Sequence, residues 1–249
     1  MVPAEPALRF SEDLFPVGGG RLGALIRTYP WSRTPLGSIL RWPQSLKTAI
    51  DMMVQSPVPM CLLWGADGIM IYNDAYVAVA GNRHPATLGK SVFEMWPEVA
   101  DFNRRIMEAG LAGRATSFRD QHLVLNRNGK PEDVWLNLDY SPIRDETGLP
   151  AGVLAIVSDT TRQVLAAREL RARESELARV QRIGKVGGVE VFFENGFQNR
   201  RSPEYLMIHG LPPDAAHETH EAWVARLHPD DRDFTEKQFR DVIAGTGRE

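Results

Sequence analysis

The sequence is poor in cysteine and has no long apolar run. Its one cysteine, Cys61, excludes an intramolecular disulfide and a multi-cysteine metal site, and it is typical of a reducing compartment. No apolar segment reaches the roughly 20 residues that a membrane-spanning helix requires. The first 20 residues lack a basic flank before an apolar core, so we expect no secretory signal peptide. These absences predict a cytoplasmic segment.

Positive charge is not in excess either. The chain has 29 Lys and Arg against 32 Asp and Glu, a formal net charge of -3. Nucleic-acid-binding surfaces depend on a basic field, so we expect no nucleic-acid partner. A length of 249 residues with 43% hydrophobic content is sufficient for one or two domains of ordinary size.

The first half of the chain alternates between helical and extended patterns. Leu46, Ile50 and Met53 have the spacing of a buried helical stripe. Two short apolar runs, Met60–Trp64 and Ile69–Tyr72, flank a glycine-containing turn and predict a β-hairpin.

Residues 92–110 predict a long helix that is divided or kinked at Pro97. Three further strands are predicted, on residues 115–125, 133–140 and 151–157. Two strands, several helices and then three strands indicate an α+β fold, with helices on one face of a five-stranded antiparallel sheet.

A helix rich in Ala, Leu, Arg and Glu follows on residues 161–183. One of its faces carries a narrow apolar stripe, which Arg173 interrupts. The spacing is compatible with a short coiled coil. We therefore expect a linker helix whose dimer seam consists of Ala166, Leu170, Leu177 and Val180.

Four segments together resemble a known family. They are residues 31–37 (WSRTPLG), 42–46 (WPQSL), 72–76 (YNDAY) and 140–145 (YSPIRD). In that order they resemble the sensory PAS region of bacterial sensor histidine kinases. The resemblance implies the PAS fold, a role in signalling input, and a histidine kinase domain downstream in cis.

A second module begins after the linker helix. Residues 189–201 repeat the hairpin pattern, and residues 202–205 (SPEY), 208–211 (IHGL) and 228–232 (HPDDR) resemble the first half of another PAS subclass. The expected layout is an N-terminal arm and lead-in segment (1–41), a first PAS domain (42–160), the linker helix (161–183), and the N-terminal part of a second PAS domain (184–249), cut short as in a fragment.

Aromatic and polar side chains of the first module are candidates for a ligand cavity between helices and sheet. An ordinary aromatic core explains them as well, and helix capping explains the asparagine among them. Binding of a small-molecule ligand in this cavity is an alternative that stays open. The candidates are Trp64, Tyr72, Asn73, Tyr76, Phe93, Trp96, Trp135 and Tyr140.

The candidate signal relay lies between the last strand and the linker helix. It consists of Ser158, Asp159, Thr160 and Thr161. These residues resemble the Asp-Ile-Thr signature that couples a PAS sheet to its output helix, with Thr160 in place of isoleucine. They are also typical helix caps, and the two interpretations are compatible.

No cofactor is expected. The long helix has no histidine for haem, since His84 lies in a loop and His122 on a strand. Cys61 lies in the first strand, away from the reactive position of flavin photoreceptors, and is typical of a buried hydrophobe.

Two further motifs have structural explanations. Residues 228–231 read as a helix start, so no metal site is expected. The glycine-rich run at 18–23 lacks the strand and acidic residue of a dinucleotide site.

The sequence therefore predicts a tandem PAS input segment of a two-component system, homodimeric through the linker helix and PAS surfaces. It carries no recognisable catalytic residue, phosphoacceptor helix or nucleotide-binding box. Two alternatives stay open: the input of a diguanylate cyclase or phosphodiesterase, and a ligand-free dimerisation module. The signal itself is not encoded in any recognisable pattern.

Overall fold

The computed structural model describes residues 15–192 and 198–245, which belong to two units, Met1–Ala167 and Arg168–Glu249. The helices and strands of the first unit are, in chain order, α1 (Gly20–Thr28), α2 (Gln44–Val54), β1 (Met60–Trp64), β2 (Ile69–Tyr72), α3 (Val77–Ala80), α4 (Val92–Met95), α5 (Ala100–Leu111), β3 (Thr116–Leu125), β4 (Glu132–Arg144) and β5 (Pro150–Asp159). They are followed by α6 (Thr161–Gly184), β6 (Val189–Phe192), β7 (Gln198–Arg201), α7 (Pro203–Ile208), β8 (His217–Glu218), α8 (His220–Arg226) and α9 (Pro229–Ile243).

The first unit contains the five-stranded antiparallel sheet that the patterns predicted. Its strand order is β2-β1-β5-β4-β3. The predicted long helix is divided at Pro97, which begins a 3₁₀ turn, Pro97–Val99, between α4 and α5. Ser91 caps α4 by accepting a hydrogen bond from the Phe93 N–H at 3.3 Å.

Strand β4 shows why the alternating pattern was informative. Its residues Val134, Leu136, Leu138 and Tyr140 are buried, as a period of two requires for one face. Trp135 points to the opposite face and is nevertheless buried. Its ring lies against His122, with ring centroids 4.8 Å apart.

The segment before α2 shares the core of the first unit. Leu22, Ile26 and Trp31 are almost fully buried and belong to the same cluster as the sheet residues. The predicted division between residues 41 and 42 therefore does not coincide with a break in the core. Residues 1–14, part of the expected arm, lie outside the described residues.

The glycine run at residues 18–20 allows a carboxylate to approach the N-terminus of α1. The Arg21 and Leu22 backbone N–H groups donate to the Asp74 carboxylate at 2.9 and 2.7 Å. A Cβ atom at Gly20, whose φ is 57°, would overlap that carboxylate. Asp74 therefore satisfies helix N–H groups that would otherwise lack partners.

The second unit contains an antiparallel sheet of order β6-β7-β8. Ser202 caps α7, and His228 caps α9, which begins at Pro229 as predicted. The hairpin turn expected at residues 194–196 lies outside the described residues. Assignment of this unit to a second PAS domain stays a prediction.

Across the described residues, no helix combines the length and apolar character that crossing a bilayer requires. Within the same ranges, no three His, Cys, Asp or Glu side chains come together as metal ligands would.

Candidate functional site

A cavity of ≈ 50 Å³ lies between the inner face of the sheet and helices α3, α4 and α5. Leucine and valine side chains of β3, β4 and β5 form its floor. Its polar lining groups are few, and they come from separate elements: Tyr76, Trp96, Asn103 and Tyr140, with the Cys61 thiol. The geometry is that of an apolar pocket with a small set of hydrogen-bonding groups.

Three of the eight candidate cavity residues line this cavity: Tyr76, Trp96 and Tyr140. Tyr76 follows β2 in the 3₁₀ turn Asp74–Tyr76, and Tyr140 lies on the inner face of β4. Trp96 lies between α4 and the Pro97 turn. These three residues lie at the cavity, and their ligand-binding role stays a prediction.

Two of the other candidates are held elsewhere by hydrogen bonds. The Tyr72 hydroxyl lies 3.0 Å from His84 Nδ1 and accepts a hydrogen bond from Thr87 at 2.9 Å. The fully buried Asn73 side chain bonds five backbone groups around the hairpin. These two residues organise the domain and do not line the cavity.

The remaining three candidates also lie outside the cavity lining. Trp64 lines a separate surface depression, together with Trp42. Phe93 is half-buried, with the Arg104 guanidinium 5.8 Å from its ring centroid. Trp135 lies on the outer face of β4, because its neighbour Leu136 points inward.

Asn103 is a lining residue that the sequence interpretation missed. It is 8% exposed on α5, next to Phe102 and one turn before Ile106. A polar residue within a buried helical stripe was the available signal, because such a group ordinarily needs a hydrogen-bond partner.

The ionisable groups of the cavity stay uncharged. Burial raises the pKa of the Cys61 thiol and of the Tyr76 and Tyr140 hydroxyls well above their ordinary values. None of the described lining residues carries a formal charge at neutral pH. The cavity is therefore an electrically neutral environment.

Arg83 fixes the position of Trp96. Its guanidinium lies 4.4 Å from the Trp96 ring centroid and donates to the Met95 carbonyl. The same guanidinium pairs with Glu98 at 2.8 Å, and Glu98 accepts the Asn126 backbone N–H at 2.7 Å. This network ties the cavity wall around Trp96 to the end of β3.

The start of α6 is bonded directly to β4 at Trp135. The Thr160 N–H donates to the Trp135 carbonyl at 2.8 Å, and the Trp135 N–H donates to Thr161 Oγ1 at 3.0 Å. The Thr160 hydroxyl also donates to the Asp120 carboxylate at 2.7 Å. Trp135, Thr160, Thr161 and Asp120 thus form what we term the sheet-to-helix junction.

Asp120 reaches the junction through a bulge in β3. The register against β4 shifts between Phe118 and Gln121, and Asp120 has φ 47°. Its N–H donates to the Asn137 side chain at 2.8 Å. An unusual backbone conformation of this kind was not predictable from the strand pattern.

Asp159 holds the first turn of α6. It accepts the Thr161 N–H at 3.0 Å, and Arg127 donates to its other oxygen at 3.1 Å. Burial pushes the pKa of Asp159 up, but the bonds from Thr161 and Arg127 outweigh it and leave the pKa below its usual value. Ser158, the fourth relay candidate, is exposed and makes no side-chain hydrogen bond within the described part of the chain.

A family model described as the PAS fold matches residues 54–165. These residues form a PAS domain. They include the cavity lining and the junction.

Structures similar to this chain include other PAS domains. The PAS domain of Bordetella pertussis BvgS shares 19% identity over 53% of this chain and 98% of its own, with a TM-score of 0.40. A sensory box sensor histidine kinase from Vibrio cholerae shares 21% identity over 47% of this chain and 89% of its own, with a TM-score of 0.32. An RNA-binding light-oxygen-voltage receptor shares 17% identity over 57% of this chain and 40% of its own, with a TM-score of 0.39. No curated protein sequence matches the chain.

The histidines considered for haem lie outside the cavity of the PAS domain. His84 is bonded to Tyr72, and the exposed His122 Nε2 lies 2.6 Å from Asp133 Oδ1 on the outer face of the sheet. Cys61 lies in β1 at the cavity wall, where its buried thiol stays protonated. Absence of haem and flavin stays a prediction.

Helix α6 leaves the PAS domain with its apolar stripe uncovered. Leu170, Leu177 and Val180 are each more than half exposed, and none of the helix residues is buried. Arg173 within the stripe pairs along the helix with Glu169 at 2.6 Å. The predicted linker helix is present, and its role as a dimer seam stays a prediction.

Proposed function

We propose that this chain is the sensory input of a two-component sensor histidine kinase. Occupancy of the PAS cavity changes the position of β4, and α6 carries that change to a kinase domain that follows in cis. The observation that supports this most directly is the adjacency of Leu136, which lines the cavity, and Trp135, which holds α6.

The cavity and the start of α6 are coupled through consecutive residues of β4, Leu136 and Trp135. Consecutive strand residues point to opposite faces, so one residue faces a ligand while the next faces the output helix. A ligand that displaces Leu136 also displaces the Trp135 peptide groups, which bond Thr160 and Thr161. The lengths or angles of those bonds then favour a different direction for the start of α6.

The uncovered stripe of α6 needs a partner, because an isolated helix of this length is marginally stable in water. We assign that partner to a second copy of the chain, with Leu170 and Leu177 one heptad apart in a parallel seam. Arg173 within the stripe weakens the seam, which suits an element that must change its packing. We assign residues 184–249 to the N-terminal part of a second PAS domain.

The test is an autophosphorylation assay on the full-length protein with radiolabelled ATP. Thr161→Val removes the oxygen that accepts the Trp135 N–H while keeping the shape of the side chain. Thr147→Val is the matched control, since its hydroxyl donates to Asp145 in the turn before β5 and to no other group in the described part of the chain. We expect Thr161→Val to change the rate of phosphate incorporation and Thr147→Val to leave it unchanged.

Two outcomes contradict the proposal. Production or hydrolysis of a cyclic dinucleotide without phosphate incorporation would assign the chain to a cyclase or phosphodiesterase. Equal rates in wild type, Thr161→Val and Thr147→Val would show that the bond from Trp135 to the start of α6 does not control output.

A further inference from the structure

The polar groups of the cavity point to the chemistry of its ligand. We propose that the ligand is an uncharged small molecule with a hydrogen-bond acceptor, such as a carbonyl oxygen, on an apolar body, and that Trp96 donates to this acceptor. This inference rests on the proposed sensory function, which requires a cavity ligand, and it adds the chemical class.

The Trp96 indole N–H is a buried hydrogen-bond donor without a partner in the described part of the chain. Trp96 is only 4% exposed, and its indole N–H makes no hydrogen bond within the described ranges. Trp31 and Trp42, equally buried, donate to backbone carbonyls at 2.7 and 3.2 Å. Burial raises the pKa of the Tyr76 hydroxyl and the nearby Trp96 indole N–H acts to lower it, but the distance and angle between the two groups are not those of a hydrogen bond. Buried N–H groups are nearly always paired, so Trp96 is suited to an acceptor that enters the cavity.

Two more polar groups of the lining are also without partners. The Tyr140 hydroxyl and the Asn103 amide face the same cavity, and neither side chain makes a hydrogen bond to another described residue. A hydroxyl and an amide each donate and accept, so they can orient a ligand around the Trp96 donor. The walls between them are Leu and Val side chains, which suit an apolar body.

The described residues that line the cavity carry no charge. None of the described lining residues is a carboxylate, a guanidinium, an ammonium or an imidazole. An ionised ligand would lose its hydration without gaining a counter-ion, which is unfavourable. The Tyr76, Tyr140 and Cys61 side chains stay protonated because burial raises their pKa, so they supply no charge for a cation.

The volume of the cavity limits the size of its ligand. A cavity of about 150 Å³ binds benzene, so ≈ 50 Å³ limits a ligand that enters without rearrangement to a few non-hydrogen atoms. Haem and flavin would therefore require the walls to move apart.

The experiment uses three probes of equal size: acetone, acetate and isobutene, each with four non-hydrogen atoms. They differ in being a neutral acceptor, an anion and a neutral molecule without an acceptor. The chain is labelled with ¹⁵N, and the Trp96 indole N–H signal, assigned by its loss in Trp96→Phe, is followed during titration. The indole signals of Trp31 and Trp42, already bonded, serve as internal controls.

We expect acetone to shift the Trp96 signal saturably and to leave the Trp31 and Trp42 signals in place. Acetate should not bind, and isobutene should bind more weakly than acetone. Followed through the backbone amide signals of the cavity lining, Trp96→Phe should weaken acetone binding by about 2–10-fold, the worth of one neutral hydrogen bond. Trp223→Phe, the same substitution in the second unit, should not change it.

The remaining outcomes overturn the inference. Acetate binding as tightly as acetone would refute the neutral class, and isobutene binding as tightly would refute the acceptor. Absence of saturable binding by all three probes would refute a ligand of this size and chemistry. The autophosphorylation test of the junction stands apart from these results, so failure here leaves the sensory proposal to be judged by that assay.

Discussion

Replacement of Asn73 is the most demanding test of how the first unit is held together. This buried amide joins the end of α2, the start of β1 and the turn after β2. Its nitrogen lies within hydrogen-bond distance of three backbone carbonyls, at 3.2, 3.0 and 2.7 Å, of Met53, Ser56 and Val58. Its oxygen accepts the N–H groups of Met60 at 3.0 Å and Tyr76 at 3.1 Å.

The magnitude follows from the count of groups left unpaired. An amide nitrogen carries two hydrogens, so about four of these bonds are fully made at one time. Each neutral hydrogen bond is worth about 1 kcal/mol net, and a buried group left unpaired costs about 1–3 kcal/mol. We therefore expect Asn73→Ala to lower the free energy of unfolding of the first unit by about 3–5 kcal/mol.

Urea unfolding followed by tryptophan fluorescence measures this loss. Five of the six tryptophans lie in the first unit, so a Trp223→Phe background makes the signal specific to that unit. Asn103→Ala is the matched control, because Asn103 is also buried but makes no hydrogen bond among the described residues. Its loss should be about 1 kcal/mol, the centre of the usual range for single substitutions.

Equal losses for Asn73→Ala and Asn103→Ala would refute the reasoning, since burial alone would then explain both. A loss below about 1 kcal/mol for Asn73→Ala would have the same meaning, because that is the net worth of a single hydrogen bond. Hydrogen exchange provides an independent check. The Met60 amide should lose protection in Asn73→Ala and keep it in Asn103→Ala, whereas the Tyr76 amide keeps its bond to the residue 73 backbone carbonyl.

Three further predictions concern association, pH and colour. Glutamate at both Leu170 and Leu177 should shift the protein from dimer towards monomer in sedimentation equilibrium, because the seam cannot bury these charges. The hydrogen bond from the Thr161 amide to Asp159, followed by NMR, should be fully formed above a pH of about 4. It should be lost as the pH falls through the lowered pKa of Asp159, because the contacts that lower this pKa stabilise the ionised carboxylate. The purified protein should show neither a Soret band nor flavin absorption, because α5 carries no histidine and Cys61 lies in β1.

Each of these predictions has its own contradiction. Leu165→Glu with Ile183→Glu places the same charges on another exposed face of α6; equal dissociation of this variant, or a monomeric wild type, would exclude the predicted seam. In Asp159→Asn the pH-dependent step should disappear, and its persistence would assign the step to another carboxyl group. A Soret or flavin band that survives purification would overturn the prediction that the cavity holds no such cofactor.

The strands and helices of the first unit were predictable because their signals are local. Strand β3 was expected on residues 115–125 and lies at Thr116–Leu125, and the linker helix was expected on 161–183 and lies at Thr161–Gly184. The division of the long helix at Pro97 follows from the missing N–H of proline. Burial of the 46–53 stripe follows from helical spacing alone.

The site was less predictable, because a cavity depends on contacts between distant segments. Trp135 was expected in the cavity, although the alternation with Leu136 already placed it on the other face of β4. The contact of Asp74 with the start of α1 joins positions about 50 residues apart, and no local pattern indicates it. The position of Asp120 at the junction likewise depends on a β-bulge that spacing does not reveal.

Amide NMR of the ¹⁵N-labelled chain during titration with acetone measures the coupling between the cavity and the start of α6. We expect acetone to shift the Trp135 and Thr160 amide signals together with the Trp96 indole signal, with the same midpoint. In Trp96→Phe, which lacks the indole signal, the two amide responses should weaken alike. A saturable shift of the Trp96 indole while the Trp135 and Thr160 amides do not move would contradict the account, because the cavity would then be occupied without any change at the start of α6.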